Sequence, residues 1–94
     1  MAGAGAAPRK REVHWTGQAR DDLAHWDKAD RRIARRIREL VEHIREHPFT
    51  GIGKPEPLRY EWSGYWSRRI TKEHRLVYRV AQDVVYIAQC RYHY

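Results

Sequence analysis

The C-terminal half of the chain carries side chains that could transfer protons and hold a phosphate. Glu56 stands between two prolines in the loop "GIGKPEP", and His93 lies in the terminal block "CRYHY". Three arginines lie near the ends of predicted strands between them: Arg68, Arg69 and Arg75. Cleavage of RNA without a metal needs a base for the 2′-hydroxyl proton, a cation for the phosphate and an acid for the leaving 5′-oxygen. A carboxylate, an arginine and a histidine could supply these groups.

The spacing of these residues does not select this chemistry by itself. Histidine suits the acid because its ordinary pKa of ~6.5 leaves it partly protonated near neutrality. Glu56 is equally explained as a solvated loop carboxylate. Arg75 could instead pair with Glu73 or Asp83 at a turn, and such surface ion pairs contribute little.

Other chemistries find weaker support in the sequence. The six histidines form no HExxH motif, and the pair His43 and His47, four residues apart, is typical of helix capping and solubility. "GIGKPEP" lacks the spacing of a phosphate-binding Walker loop. Cys90, the one cysteine, lies in an alternating strand pattern, which predicts a buried structural thiol.

The charge balance predicts an anionic partner. The 94 residues include 19 Lys and Arg against 12 Asp and Glu, which gives a formal net charge of +7. Nucleic acid is the first candidate, an acidic protein the second and a membrane surface the third. No apolar run approaches the ~18 residues that span a bilayer, and a single cysteine suits a reducing cytoplasm.

Local patterns predict one small domain, residues 11–94, behind a flexible Ala/Gly-rich tail, residues 1–10. Residues 11–16 alternate as a strand, and helices are predicted over 17–27 and 31–47, capped by Thr16 and Asp30. Period-two patterns then predict four strands in "LRYEW", "YWSRRIT", "RLVYRVA" and "VVYIAQCRY". The fold class is α/β of the α+β type: an antiparallel sheet of about four to five strands with two helices on one face.

Four blocks of this sequence resemble the YoeB branch of the RelE-like endoribonuclease toxins. The blocks "GKPEPL", "GYWSRRIT", "EHRLVY" and "CRYHY" occur in the family's order and at matching distances, and the resemblance covers roughly residues 12–94. It departs from the family at Arg59, where we expect a lysine.

The resemblance implies a RelE-like domain that cleaves messenger RNA in the ribosomal A site without a metal or other cofactor. It implies that Glu56 is the general base, that Arg75 stabilises the phosphate and that His93 is the general acid. Contacts to RNA are implied for three further residues: Arg59, Arg69 and Tyr94. A YefM-like antitoxin, the ribosome and a second copy of the chain are the implied partners, in the cytoplasm and away from membranes.

The alternative is a non-catalytic basic module that binds RNA, DNA or the ribosome. Such a module would have no need of a complete set of Glu56, Arg75 and His93. The set is complete in this sequence, which favours the enzyme.

Overall fold

A computed structural model describes residues 10–92 as two helices on a five-stranded sheet. The elements in chain order are β1 (Glu12–Trp15), α1 (Gly17–Ala29), α2 (Arg31–Glu46), β2 (Glu56–Pro57), a 3-10 turn (Tyr60–Trp62), β3 (Trp66–Arg69), β4 (Arg75–Ala81) and β5 (Val84–Gln89). The strand order is β1-β5-β4-β3-β2. The predicted α+β class is confirmed. The sheet was predicted to be antiparallel, but β1 pairs with β5 in parallel, so the sheet is mixed. Two helices separate β1 from the later strands, so its direction is not set by a hairpin.

Both helices begin at the predicted capping residues. The Thr16 side chain accepts a hydrogen bond from the backbone N–H of Ala19, and Asp30 accepts from those of Arg32 and Ile33. These bonds satisfy donors that have no partner inside the helix. α2 ends one residue before the predicted limit, since His47 is its C-cap and Pro48 follows.

The core lies between the helices and one face of the sheet. From α2 it takes the predicted apolar stripe, with Ile37, Leu40 and Ile44 fully buried. From the sheet it takes alternate residues of β4 and β5, among them Leu76, Tyr78, Val85 and Ile87. We call the opposite side of the sheet the outer face.

The predicted strand "LRYEW" (residues 58–62) is wrong. Leu58 donates its backbone N–H to the carbonyl of Tyr65, which closes a wide turn, and Tyr60 has a φ of 58° within the 3-10 turn. A bulky residue with positive φ cannot continue a strand. The edge strand β2 lies just before this turn, where Pro57 is tolerated at the sheet edge.

Candidate active site

The sheet register brings three of the predicted site residues to the outer face. Glu56 on β2 pairs with Ser67 on β3, and Arg69 on β3 pairs directly with Arg75 on β4. Paired residues of antiparallel strands share a face, and so do alternate residues of one strand. Glu56, Arg69 and Arg75 therefore project from the same side, away from the helices.

Arg69 and Arg75 form a like-charge pair on neighbouring strands. Side chains directly opposite each other have Cβ atoms about 5 Å apart, and like charges in this arrangement are destabilising. Arg69 is exposed and Arg75 half-buried. An anion between the two guanidinium groups would relieve their repulsion, so this position suits a phosphate.

Arg75 is held in place by backbone carbonyls of the turn between β3 and β4. Its Nη1 donates to the carbonyl oxygens of Thr71 (2.9 Å), Lys72 (3.3 Å) and His74 (3.4 Å). The ion pair with Glu73 or Asp83 that the sequence left open is not formed within residues 10–92. The carbonyl contacts fix one edge of the guanidinium and leave its remaining donors for a ligand.

Glu56 lies on the short edge strand β2, directly after the loop that follows α2. The carboxylate is exposed and lines a surface cleft with its neighbours in the segment 55–62. Arg59, also exposed, lines the same cleft. The Arg69 backbone N–H donates to the carbonyl of Gly53 at 2.7 Å, which ties the loop to β3.

Arg68 supports this loop from inside the protein. Its side chain is fully buried and donates to the carbonyl oxygens of His47, Thr50 (2.9 Å) and Ile52 (3.0 Å). It also donates to the Tyr78 hydroxyl at 3.1 Å and contacts His43 Nδ1 at 3.0 Å. Sequence reasoning grouped Arg68 with the surface arginines. The flanking hydrophobic residues Trp66 and Ile70, at i−2 and i+2, were the signal that this position faces the core.

The loop after α2 and the C-terminal end of α2 pack closely around the Arg68 guanidinium. Gly51 has a φ of 109°, and a Cβ at this position would lie 1.9 Å from His43 Cε1. Tyr78 donates its hydroxyl to the carbonyl of Pro48 at 2.6 Å, and burial raises the pKa of this phenol. His43 is thus part of the loop support rather than a capping residue.

The part of the chain that the structure describes contains no cluster of three or more metal-ligating side chains.

The C-terminal end of β5 is anchored by α1. The Trp26 indole N–H donates to the carbonyl of Cys90 at 2.9 Å, and the Asp22 carboxylate accepts the Cys90 N–H at 3.0 Å. Both α1 side chains are buried. Sequence reasoning missed them because their partners lie 64 and 68 residues away along the chain.

The prediction of a buried structural thiol at Cys90 is confirmed. The residue is fully buried, and burial, with the nearby Asp22 charge, raises the pKa of the thiol to about 12. A thiol in that state is not a nucleophile at neutral pH.

The described chain ends beside Arg75. The Arg75 backbone N–H donates to the carbonyl of Tyr92 at 3.1 Å, and the Tyr92 N–H donates to His74 Nδ1 at 2.7 Å. His93 and Tyr94, the predicted acid and its neighbour, lie outside the described residues. The anchored backbone of Tyr92 is directly followed by His93.

None of the helices within residues 10–92 has the length and apolar character needed to cross a membrane.

Comparison with known proteins gives a consistent assignment. The family model "YoeB-like toxin of bacterial type II toxin-antitoxin system" matches residues 15–94. Toxin YoeB of Escherichia coli (strain K12) is 54% identical over 80 residues, which cover 85% of this chain and 95% of that protein.

Solved structures agree with this match. The YoeB dimer from Staphylococcus aureus is 40% identical with a TM-score of 0.83, and covers 92% of this chain and 100% of that chain. The YoeB–YefM complex from the same organism is 39% identical with a TM-score of 0.81 over the same shares. The family match includes both helices and the strands β2 to β5. The chain belongs to the YoeB-like toxins of bacterial type II toxin–antitoxin systems.

Proposed function

We propose that this toxin is a metal-independent endoribonuclease that cleaves messenger RNA in the ribosomal A site and so inhibits translation. The single observation that carries the proposal is the register that brings Glu56, Arg69 and Arg75 to one face of the sheet. These are a base and two cations on the face of the sheet that is turned away from the helices.

The proposed reaction is an attack of the RNA on its own backbone. Glu56 takes the proton of a 2′-hydroxyl, and the oxygen bonds to the adjacent phosphorus. Arg75 and Arg69 stabilise the added negative charge, and the bond to the 5′-oxygen breaks as His93 donates a proton to it. The products are a 2′,3′-cyclic phosphate and a free 5′-hydroxyl. Arg59 and Tyr94 contact the RNA beside this centre.

The charge of the chain supports a ribosomal site of action. A net charge of +7 attracts the protein to the phosphates of messenger and ribosomal RNA. We place the activity in the cytoplasm, where translation occurs. One catalytic domain, residues 11–94, carries it, and the tail of residues 1–10 is dispensable; residues 1–9 of that tail lie outside the described residues.

The partners proposed for this chain follow from its relatives. The Staphylococcus aureus toxin is found in complex with YefM and as a dimer. We infer that a YefM-like antitoxin binds this toxin, and that the toxin itself forms a homodimer.

The test is translation in a cell-free system with primer extension on a defined message. Wild type should cut at ribosome-occupied codons, and Glu56→Gln and His93→Gln should each lower the cleavage rate about 100-fold or more, the usual contribution of a general base or acid. The matched control is Glu39→Gln, which changes an exposed carboxylate of α2 on the far side of the sheet and should cut like wild type.

Two outcomes would contradict the proposal. If wild type blocks translation without cutting, the protein is a basic RNA- or ribosome-binding module. If His93→Gln cuts as fast as wild type, His93 is not the acid.

A further inference from the structure

His74 lies where three supports of the outer face meet. Its imidazole Nδ1 accepts the backbone N–H of Tyr92 at 2.7 Å. Its own carbonyl accepts the N–H groups of Ile70 (3.0 Å) and Thr71 (3.2 Å), which closes the turn between β3 and β4. The same turn holds the Arg75 guanidinium through its carbonyls. His74 therefore joins the end of the described chain to the turn that fixes the phosphate-binding arginine.

The orientation of the imidazole is set by two aromatic rings. The Trp26 indole meets it edge-on, with ring centroids 4.7 Å apart and an interplanar angle of 75°. The Tyr92 ring lies 5.6 Å away on centroids. Trp26 is itself fixed by its bond to the Cys90 carbonyl. The ring of His74 thus has little freedom to turn away from the Tyr92 backbone.

The hydrogen bond to Tyr92 defines the tautomer of His74. A backbone N–H can only donate, so Nδ1 must be the acceptor and the ring proton must lie on Nε2. The side chain acts here as a fixed acceptor at the Nδ position. An asparagine can present an oxygen at a similar distance from the backbone, whereas the acceptor of a glutamine lies one bond farther out.

The Tyr92 backbone needs such an acceptor. Its φ is 64°, in the left-handed region that non-glycine residues seldom adopt. Two bonds hold it there, from the Arg75 N–H to its carbonyl (3.1 Å) and from its own N–H to His74. Loss of the second bond would free the chain to leave this conformation.

We propose that His74 is a positioning residue for the cleavage reaction: its imidazole fixes the backbone of Tyr92 beside Arg75, and Tyr92 directly precedes His93 in the sequence. This inference rests on the proposed function, in which His93 is the acid and Arg75 the phosphate ligand. A misplacement of about 1 Å in a reacting group can cost about 100-fold in rate, so the loss of one acceptor has a large kinetic effect.

The experiment compares His74→Gln with His74→Asn by single-turnover cleavage on programmed ribosomes. His74→Gln should lower the maximal rate at least 10-fold while the toxin concentration for half-maximal rate changes less than twofold. His74→Asn should stay within about threefold of wild type, because it restores the acceptor. His25→Gln is the matched control, since the His25 ring packs against the same Trp26 ring at 4.8 Å but its side chain makes no hydrogen bond within residues 10–92; it should cut like wild type.

Amide hydrogen exchange at Tyr92 provides a readout that does not depend on cleavage. Exchange should accelerate in His74→Gln and remain near wild type in His74→Asn, with similar melting temperatures for both. Equal rates for wild type and His74→Gln would overturn the inference. So would an equal loss in both variants, or unfolding of His74→Gln, since His74 would then serve the fold alone. If wild type itself does not cut, the proposed function is wrong. That result distinguishes a failure of the proposed function from a failure of the inference about His74.

Discussion

Two segments flank the outer face, and they are supported in different ways. The Gly/Pro loop, residues 47–55, rests on one buried guanidinium that binds three of its carbonyls. The C-terminal segment, residues 90–92, is held by single hydrogen bonds from separate elements: Asp22 and Trp26 of α1, and His74 and Arg75 at the start of β4.

The difference has an energetic consequence. A central group that satisfies several buried acceptors takes all of them with it when it is removed, and each unsatisfied buried group costs about 1–3 kcal/mol. In the C-terminal segment, the loss of one bond leaves the others in place. We therefore expect the loop support to dominate global stability and the C-terminal supports to govern local opening.

The largest effect on stability is expected from Arg68→Met, which removes the central support of the loop. Methionine fills part of the volume but leaves the carbonyls of the loop without their donor. We expect a loss of about 3 kcal/mol or more in the free energy of unfolding, a large share of the ~5–15 kcal/mol of a typical domain. Urea unfolding followed by circular dichroism measures this.

The neighbouring Arg69→Met is the control for that measurement. Arg69 is exposed and faces Arg75 across the strands, so its removal should change stability by less than about 0.5 kcal/mol. In the cleavage assay, folded Arg69→Met should lose more activity than folded Arg68→Met, because Arg69 lies on the outer face. Equal destabilisation by both substitutions would contradict the distinction between the two arginines.

An intermediate effect is expected from Trp26→Phe. The change keeps an aromatic ring in the core but removes the donor to the Cys90 carbonyl, which should cost about 1–2 kcal/mol. Cys90 reports on the segment directly, because its buried thiol, with a pKa raised to about 12, reacts only when the segment opens. Alkylation of Cys90 should therefore accelerate.

Trp15→Phe is the matched control for this change. Trp15 packs against the edge of the core, and its indole makes no hydrogen bond within the described part of the chain. Its substitution should leave the rate of Cys90 alkylation near that of wild type. The same rate for Trp26→Phe and Trp15→Phe would show that the bond to the Cys90 carbonyl does not hold the segment closed.

The loop and the C-terminal segment also differ in how far their supports follow from sequence. The helix caps at Thr16 and Asp30 and the stripe of α2 were predicted correctly because they depend on residues within a few positions of each other. The alternation in "YWSRRIT" likewise predicts that Arg68 and Arg69 point to opposite faces of the sheet. The predicted strand at residues 58–62 was wrong because a period-two pattern does not show that Tyr60 takes a positive φ.

The supports of the C-terminal segment could not be predicted in this way. Asp22 and Trp26 look like ordinary residues of an amphipathic helix, and only the placement of α1 against β5 shows that they bind Cys90. The parallel pairing of β1 with β5 is a similar case, since a strand pattern does not name its partner. The family resemblance supplied the candidates Glu56, Arg75 and His93, but not the contacts that hold Arg75 and the residues before His93.

The smallest expected effect is the pH dependence that His43 gives to the loop support. Its Nδ1 lies 3.0 Å from a guanidinium nitrogen that can only donate, so the folded chain needs the neutral ring. Burial and the Arg68 charge lower the pKa of His43 in the folded state. The unfolded chain then binds a proton more readily, so this contribution to stability is full above the unfolded pKa of ~6.5 and is lost as the pH falls toward the lower folded pKa. The urea midpoint should therefore fall slightly between about pH 7.5 and 5.5.

His43→Asn isolates this contribution. Asparagine can still accept from Arg68 but does not titrate, so the variant should lose less stability than wild type over the same pH range. All other residues are the same in the two proteins, so the difference between their slopes reports on position 43. Identical slopes would mean that protonated His43 is accommodated beside Arg68, and the loop would then be less dependent on this contact than the 3.0 Å distance indicates. A shallower slope in the variant, with equal rates of Cys90 alkylation for the two proteins at each pH, would show that acid weakens the loop support and leaves the C-terminal segment intact.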